Sequence, residues 1–91
     1  MADNLKKLAR QLAVFGEFNR LKIIKALAVN EKRCVSEVAK TLHLSTAVIS
    51  YHLRELANEK IVLPVRQWKM ICYKLVNSKL LHSIQKLLKA K

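Results

Sequence analysis

The chain has 91 residues, of which 52% are hydrophobic, and its eighteen Lys and Arg against six Asp and Glu give a net charge of +12. This length fits a single domain spanning residues 1–91, and the apolar content excludes a disordered tail. With no run of about 18 apolar residues, no membrane-spanning helix is expected. A surface this cationic, with no acidic residue after Glu59, is either a solubility feature or a binding surface for a polyanion such as nucleic acid.

Cellular location is predicted from two absences in the sequence. The start, Met-Ala-Asp-Asn, lacks the apolar core of a signal peptide. Two cysteines are too few for a disulfide scaffold of the kind found in small secreted domains. We therefore expect a cytoplasmic protein.

Two helices are predicted in the first third of the chain. The first spans residues 3–15, where Asp3 can cap it and Gly16 ends it. Its apolar residues recur at helical spacing and are Leu5, Leu8, Leu12 and Phe15. A second helix is predicted over about residues 18–29, and Asn30 suits its end.

Two short helices joined by a tight turn are predicted next. Cys34 and Val35 suit a very short strand, and Ser36 can cap a helix over residues 37–42. After a tight link at His43-Leu44, Ser45 caps a helix that extends to about residue 57 or 58. The apolar positions of this helix that share one face are Ile49, Leu53 and Leu56.

The apolar pattern then changes from helical to β-type. Residues 61–66 and 70–75 are β-rich, and residues 67–69 join them, which predicts a hairpin whose Pro64 is tolerated only on an edge strand or a bulge. A last helix is predicted over about residues 78–90. Its apolar residues are Leu80, Leu81, Ile84, Leu87 and Leu88.

These elements predict a mainly α (α+β) fold of the winged helix-turn-helix type. It has about five helices and a two- or three-stranded β-wing, in the order helix, helix, short strand, helix, helix, strand, strand, helix. A basic hairpin directly after a helix pair is what distinguishes a winged helix from other helix pairs.

Four segments resemble the ArsR/SmtB family of repressors. They are FNRLKIIKAL at 18–27, CVSEVA at 34–39, LSTAVISYHL at 44–53 and ICYKL at 71–75. The resemblance covers about residues 8–76. It implies a dimeric, cytoplasmic winged-helix transcription regulator, by analogy a repressor, which binds a near-palindromic operator on double-stranded DNA.

The outer face of the helix that begins after Ser45 is the candidate recognition surface. Small hydroxyls and a methyl near a helix N-terminus suit base edges and thymine methyls, and the free N–H groups there suit phosphate. The residues expected on this face are Thr46, Ala47, Ser50, Tyr51 and Arg54, with Ser45 at the start. His52 resembles the usual His of the family at this place, and a positioning role is favoured over ligand chemistry.

The wing tip and the turn before the third predicted helix add candidate DNA contacts. Cations at a hairpin tip suit phosphate or the minor groove. The candidates at the tip are Arg66, Gln67, Trp68 and Lys69, and those in the turn are Lys32 and Arg33. Trp68 can insert into DNA, stack, or pack over the hairpin, and packing is favoured. For Lys32 and Arg33 in the turn, a solvated surface is as good an interpretation as phosphate contact.

The first and last helices are predicted to form the dimer interface. The apolar stripes of these two helices flank the central motif, and the core of so small a domain does not supply enough apolar partners to cover both stripes. The residues assigned to the interface are Leu5, Leu8, Leu12, Phe15, Leu80, Leu81, Ile84, Leu87 and Leu88.

The metal-sensing site of the resembled family is not expected here, and neither is a cofactor. Where that family has Cys-x-Cys, this sequence reads Cys34-Val35-Ser36, and His82 stands in the last helix without Asp or Glu. In this fold the strand at 34–35 would pair with 71–75 and bring Cys34 near Cys72. The pair is then either a reversible disulfide that tunes DNA binding or two small buried hydrophobes.

No catalytic motif is present, so an enzyme is not expected. The sequence lacks a Ser-His-Asp arrangement, a Gly-rich phosphate loop and paired carboxylates. Two other classes stay open beside a specific regulator: an architectural DNA-binding protein without sequence preference, and a winged helix used only for protein contacts. The polar outer face and the cationic wing argue against the last.

Overall fold

The computed structural model describes residues 2–29, 32–76 and 78–89, with side chains from Asn4 onward. Within these residues five helices and three strands follow one another in the predicted order. The helices are α1 (Ala2–Phe15), α2 (Phe18–Val29), α3 (Val35–Leu42), α4 (Thr46–Asn58) and α5 (Lys79–Lys89), and the strands are β1 (Arg33–Cys34), β2 (Val62–Gln67) and β3 (Met70–Leu75). The winged helix-turn-helix fold is thereby confirmed. The predicted cap at Asp3 is wrong, because α1 begins at Ala2 and Asp3 lies within its first turn. Asn30, the predicted end of the second helix, lies outside the described residues.

The predicted start of the third helix is wrong by two residues. Helix α3 begins at Val35, so Val35 is helical rather than part of the strand, and Ser36 lies in the first turn instead of capping it. The residue before the helix is Cys34, whose backbone N–H donates to Glu37 Oε1 at 2.9 Å. Because the Glu37 carboxylate reaches back to this N–H group, the helix start needs no Ser side chain.

The wing differs from its prediction in the length of its turn. Strand β2 starts one residue later than predicted, at Val62, and continues through Gln67, and β3 begins at Met70. Trp68 and Lys69 therefore make a two-residue turn where a three-residue link was predicted. Trp68 adopts a left-handed backbone, with φ of 60°, as tight hairpin turns require.

The link between α3 and α4 is closed by backbone hydrogen bonds. His43 adopts a left-handed conformation with φ of 57°. The N–H of His43 donates to the carbonyl of Lys40, and that of Leu44 to Ala39, which is the usual termination of a helix before a sharp turn. Helix α4 then begins with the predicted cap, since Ser45 Oγ accepts from the Val48 N–H at 3.1 Å.

The three strands form one antiparallel sheet in the order β1-β3-β2. Strand β2 pairs only with β3, so Pro64 stands on an edge strand as predicted. On the other side of β3, Cys34 is the partner of Cys72. The short strand therefore attaches the wing to the start of α3.

The core lies where α2, α3 and α4 meet the base of the wing. The predicted core face of α4 is confirmed, because Ile49, Leu53 and Leu56 are fully buried. The other fully buried side chains are Ile23, Ile24, Leu27, Val38, Val62 and Cys72. With one face of α4 fixed in this core, its opposite face is presented to solvent.

Candidate nucleic-acid interface

The outer face of α4 carries the side chains that the sequence placed there. Thr46, Ala47, Tyr51 and Arg54 are exposed, and Ser50 is half-buried. Ser45 is also exposed, at the first turn, where its hydroxyl already accepts one backbone N–H. The first turn of the helix therefore presents small hydroxyl and methyl groups, with an aromatic ring and a guanidinium one or two turns further on. This is a surface suited to the edges of bases and to phosphates.

The wing projects its polar tip into solvent. Arg66 and Gln67 at the end of β2 and Lys69 in the turn are exposed. The favoured prediction that Trp68 packs over the hairpin is wrong, because its side chain is 87% exposed. Trp68 is the first residue of the two-residue turn and stands at the tip of the hairpin.

A single groove of about 300 Å³ lies between α4 and the wing. Thr46 and Ser50 line it from the helix, and Lys69 and Met70 line it from the hairpin. Cys34 lines it from the start of α3. The two candidate DNA-contacting elements therefore face a common space rather than opposite sides of the molecule.

The turn before α3 presents two cations of different character. Lys32 is exposed. Arg33 is half-buried and pairs in the sheet with Tyr73, and its Nη1 donates to Thr41 Oγ1 at 3.3 Å. Lys32 is therefore the freer of the two to meet a phosphate, and Arg33 is tied into the fold.

His52 does not share the outer face of α4. It is 8% exposed and is the only polar side chain in the buried class among the described residues. Its Nδ1 accepts a hydrogen bond from Arg20 Nε at 3.1 Å, and Glu17 Oε2 lies 3.7 Å from the same nitrogen. His52 is thus directed toward α2, away from the surface that Tyr51 and Arg54 present.

Arg20 and Glu17 are functional candidates that sequence reasoning missed. Glu17 Oε2 accepts the backbone N–H of Arg20 at 3.0 Å, and Arg20 Nη1 donates to the carbonyl of Val14 at 3.4 Å. The guanidinium also lies over the ring of Tyr51, 5.8 Å from its centroid. One signal was available: His52 follows Ile49 by three residues and precedes Leu56 by four, so helical spacing alone puts it on the buried stripe.

The pKa of the Glu17 carboxyl lies below its usual value of 4.5. Partial desolvation acts in the raising direction, but hydrogen bonds from the backbone N–H groups of Asn19 and Arg20 outweigh it, together with electrostatic attraction from Arg20 and, when its ring is protonated, from His52. Glu17 is therefore a stable carboxylate at neutral pH at the start of α2.

Cys34 and Cys72 are joined by a disulfide bond. The prediction that they are neighbours is confirmed, since they are also register partners in the sheet. Both side chains are buried. The bond links the return strand of the wing to the residue before α3.

The predicted dimer stripes divide into exposed and buried members. Leu5, Leu8 and Leu12 of α1 and Leu87 of α5 are exposed, and Leu87 is 71% accessible. Leu80, Ile84 and Leu88 are half-buried against the core. Phe15 and Leu81 are buried in the core of this chain itself, because α5 and the end of α1 pack on it. Those two residues are not available to a partner's surface.

Other kinds of site are not found in the part of the chain that the structure describes. No three or more His, Cys, Asp or Glu side chains in these ranges are grouped to hold a metal ion. None of the described helices has the length and hydropathy needed to cross a membrane.

Comparison with known proteins gives one family. Residues 19–62 match the family model described as "Bacterial regulatory protein, arsR family". The cadmium resistance transcriptional regulatory protein CadC of Listeria innocua is 31% identical over 72 residues, which are 79% of this chain and 60% of CadC. The chain thus spans about 60% of the length of the curated relatives it matches.

Solved structures agree with the fold. The transcriptional repressor PagR of Bacillus anthracis has a TM-score of 0.85 at 25% identity, with 96% of this chain and 99% of PagR covered. The homodimeric winged helix-turn-helix DNA-binding domain of Mb0332 from Mycobacterium bovis has a TM-score of 0.87 at 21% identity, with 96% and 80% covered. The second likeness concerns the fold alone.

Proposed function

We propose that this chain, whose residues 19–62 match the arsR family model and which is similar to CadC, is a sequence-specific regulator of transcription that binds double-stranded DNA as a homodimer. Repression is the favoured mode, by analogy with the repressor PagR, and the cytoplasm is the proposed place of action. The observation that carries the proposal is the common groove between α4 and the wing, which is lined by Thr46 and Ser50 from the helix and by Lys69 from the wing.

In this proposal α4 enters the major groove and the wing tip contacts the adjacent backbone or minor groove. The exposed hydroxyls and the guanidinium of Arg54 supply contacts to base edges and phosphates. Arg66, Gln67, Trp68 and Lys69 supply the wing contacts. Ser45 and Lys32 contact phosphate. His52 and Arg33 instead hold the DNA-contacting surface in place, Arg33 through its hydrogen bond to Thr41.

The test is selection from a library of random duplexes, followed by titration of selected and random DNA across a salt series. A specific regulator should prefer its selected sites by about 10³-fold or more. Equal affinity for both, with a steep salt slope of about −0.9 per phosphate neutralised, would contradict specificity. That result would favour an architectural DNA-binding protein, a class for which the net charge of +12 and the exposed Trp68 are the supporting observations. No binding to any duplex would contradict both.

Dimerisation through α1 and α5 is part of the proposal. The exposed leucines of α1 and Leu87 of α5 are apolar surface that the monomer leaves in water. A two-fold axis through them would place two copies of α4 about 34 Å apart, one turn of DNA, which suits a near-palindromic operator. Mb0332 is a homodimer of the same fold.

Analytical ultracentrifugation of a matched pair of variants tests the interface. Leu87→Glu should shift the chain toward monomer because it places charge on the proposed apolar contact. Leu63→Glu is the control, since Leu63 is an exposed leucine on β2, away from that contact. Equal dimerisation by both variants would contradict the assignment.

The absence of the family's metal site is also proposed. CadC is named for cadmium resistance, but this chain has Ser36 where a second cysteine would stand, and Cys34 is bonded to Cys72. A bonded Cys34 offers no thiolate to a metal. Stoichiometric binding of Cd²⁺ or Zn²⁺ in equilibrium dialysis of the oxidised chain would contradict this.

Redox control through the disulfide is the proposed alternative to metal control. A small dithiol can cleave the Cys34–Cys72 bond, leaving two thiols as the dithiol closes to its own disulfide, and a small-molecule disulfide reverses the exchange. Cleavage frees the base of the wing from the start of α3, so DNA affinity should fall as preorganisation is lost.

Thiol titration and DNA binding with and without dithiol test this control. The Cys34→Ser/Cys72→Ser variant is the control, since its affinity should not respond to dithiol. Thiols that form no bond on mild oxidation, or a native chain with the same DNA affinity in both states, would contradict redox control.

A further inference from the structure

Arg20 is a cation outside the expected DNA-contacting surface, and its contacts within the protein are unusual. It belongs to α2, yet its guanidinium contacts three other parts of the molecule. It donates to the carbonyl of Val14 at the end of α1 and to Nδ1 of His52 inside α4, and it lies over the ring of Tyr51 on the outer face. The side chain is thus held from several directions rather than free in solvent.

The proton position of His52 follows from the direction of its hydrogen bond. Arg20 can only donate, so Nδ1 of His52 must be the acceptor and the ring proton sits on Nε2. The 3.7 Å separation between Nδ1 and Glu17 Oε2 is too long for a hydrogen bond. Glu17 instead fixes the backbone of Arg20 through its 3.0 Å contact. The Glu17 carboxylate thereby fixes the orientation of α2 at Arg20, the residue that carries the guanidinium.

Tyr51 is the member of this cluster that reaches the surface. It is 49% exposed, next to His52 in the chain, with the two rings tilted and 5.3 Å apart. A tyrosine on a helix surface samples several rotamers unless neighbours restrict it. Here the guanidinium over one face of the ring and the imidazole beside it restrict the ring.

We infer that Arg20, supported by Glu17 and His52, is a positioning residue that holds Tyr51 in the orientation that contacts DNA. The inference rests on the proposed function, because Tyr51 is one of its DNA-contacting residues. Arg20 acts through Tyr51 and makes no contact with DNA itself. A lysine at this position keeps the charge but lacks the planar group that can bond His52 and cover the Tyr51 ring together.

The decisive experiment is a double-mutant cycle with Arg20→Lys and Tyr51→Ala, read by titration of the duplex selected from the random library. Arg20→Lys should weaken binding about threefold per subunit, and about tenfold for the dimer, as expected for the loss of one cation–π contact in each subunit. In the Tyr51→Ala background the same substitution should change affinity less than about twofold, because the residue through which it acts is gone.

The salt slope separates positioning from direct contact. If Arg20 only positions Tyr51, Arg20→Lys and Arg20→Gln leave the slope of affinity against salt unchanged. A drop of about 1.8 with Arg20→Gln, one phosphate per subunit, would show direct contact and overturn the inference. Full affinity in Arg20→Lys, or equal effects with and without Tyr51, would overturn it as well.

Nitrogen-15 NMR of the unsubstituted chain tests the cluster without DNA and without a variant that must fold. In its neutral form, the His52 ring should carry its proton on Nε2 and leave Nδ1 unprotonated. A proton on Nδ1 would overturn the inference even if DNA binding is specific. Conversely, failure of the native chain to bind any duplex would contradict the proposed function while leaving the NMR result as it stands.

Discussion

The wing tip allows the most direct quantitative prediction. Arg66, near the end of β2, and Lys69, in the two-residue turn, are both exposed, and replacing both with Ala removes two cations per subunit. If each neutralises one phosphate, a dimer loses four such contacts, and the slope of log affinity against log salt should fall by about 3.6. Over a fourfold rise in salt, the native protein would then lose roughly 150-fold more affinity than the variant.

The measurement is fluorescence anisotropy of a labelled operator duplex at several salt concentrations. Lys25→Ala/Lys89→Ala is the matched control, because it removes the same charge from the groove between α2 and α5, which no wing residue lines. Its slope should stay close to the native value. Equal slopes for the wing variant and the native protein would refute the assignment of the wing to phosphate contact, and an equal drop in the control would show a general charge effect.

Three further predictions concern neighbouring parts of the structure. Arg54→Ala should lower specific DNA affinity by about tenfold with an unchanged melting temperature, and native-like affinity in a titration would refute its role. Leu53→Ala, next to it but fully buried, should destabilise the fold by about 2–5 kcal/mol in a thermal melt at fixed concentration, and a shift near zero would contradict the core assignment. Glu17→Gln should reduce stability above pH 4.5, the usual carboxyl value, because the lowered pKa stabilises the fold only while the group is ionised. The difference should vanish in denaturant titrations as the pH falls through the folded pKa, whereas a difference that persists in acid would refute the electrostatic reason.

Much of the fold could be predicted because its signals are local. The helical spacing of Ile49, Leu53 and Leu56, and the Ser45 cap, depend on residues within two turns of one another. The position of Pro64 on an edge strand follows from its missing N–H group. These features required no knowledge of distant parts of the chain.

The remaining features depend on contacts between distant segments. Arg20 and His52 are 32 residues apart, so no local pattern pairs them. An amphipathic stripe shows which face of a helix is apolar but not what covers it, so the pattern predicts a partner's surface for Phe15 and Leu81 although they lie in the core of this chain. The exposure of Trp68 depends on a turn one residue shorter than the composition indicated.

The edge strand β2 has a consequence for the behaviour of the protein at high concentration. An unpaired strand edge offers a row of N–H and carbonyl groups on which another chain can add a strand, a common route to aggregation. Pro64 interrupts that row of donors, and the nearby Arg66 adds charge that repels a second copy. The other edge, β1, is only two residues long. The sheet therefore gives little template for edge-to-edge aggregation, and the apolar surface left for self-association is that of the helices.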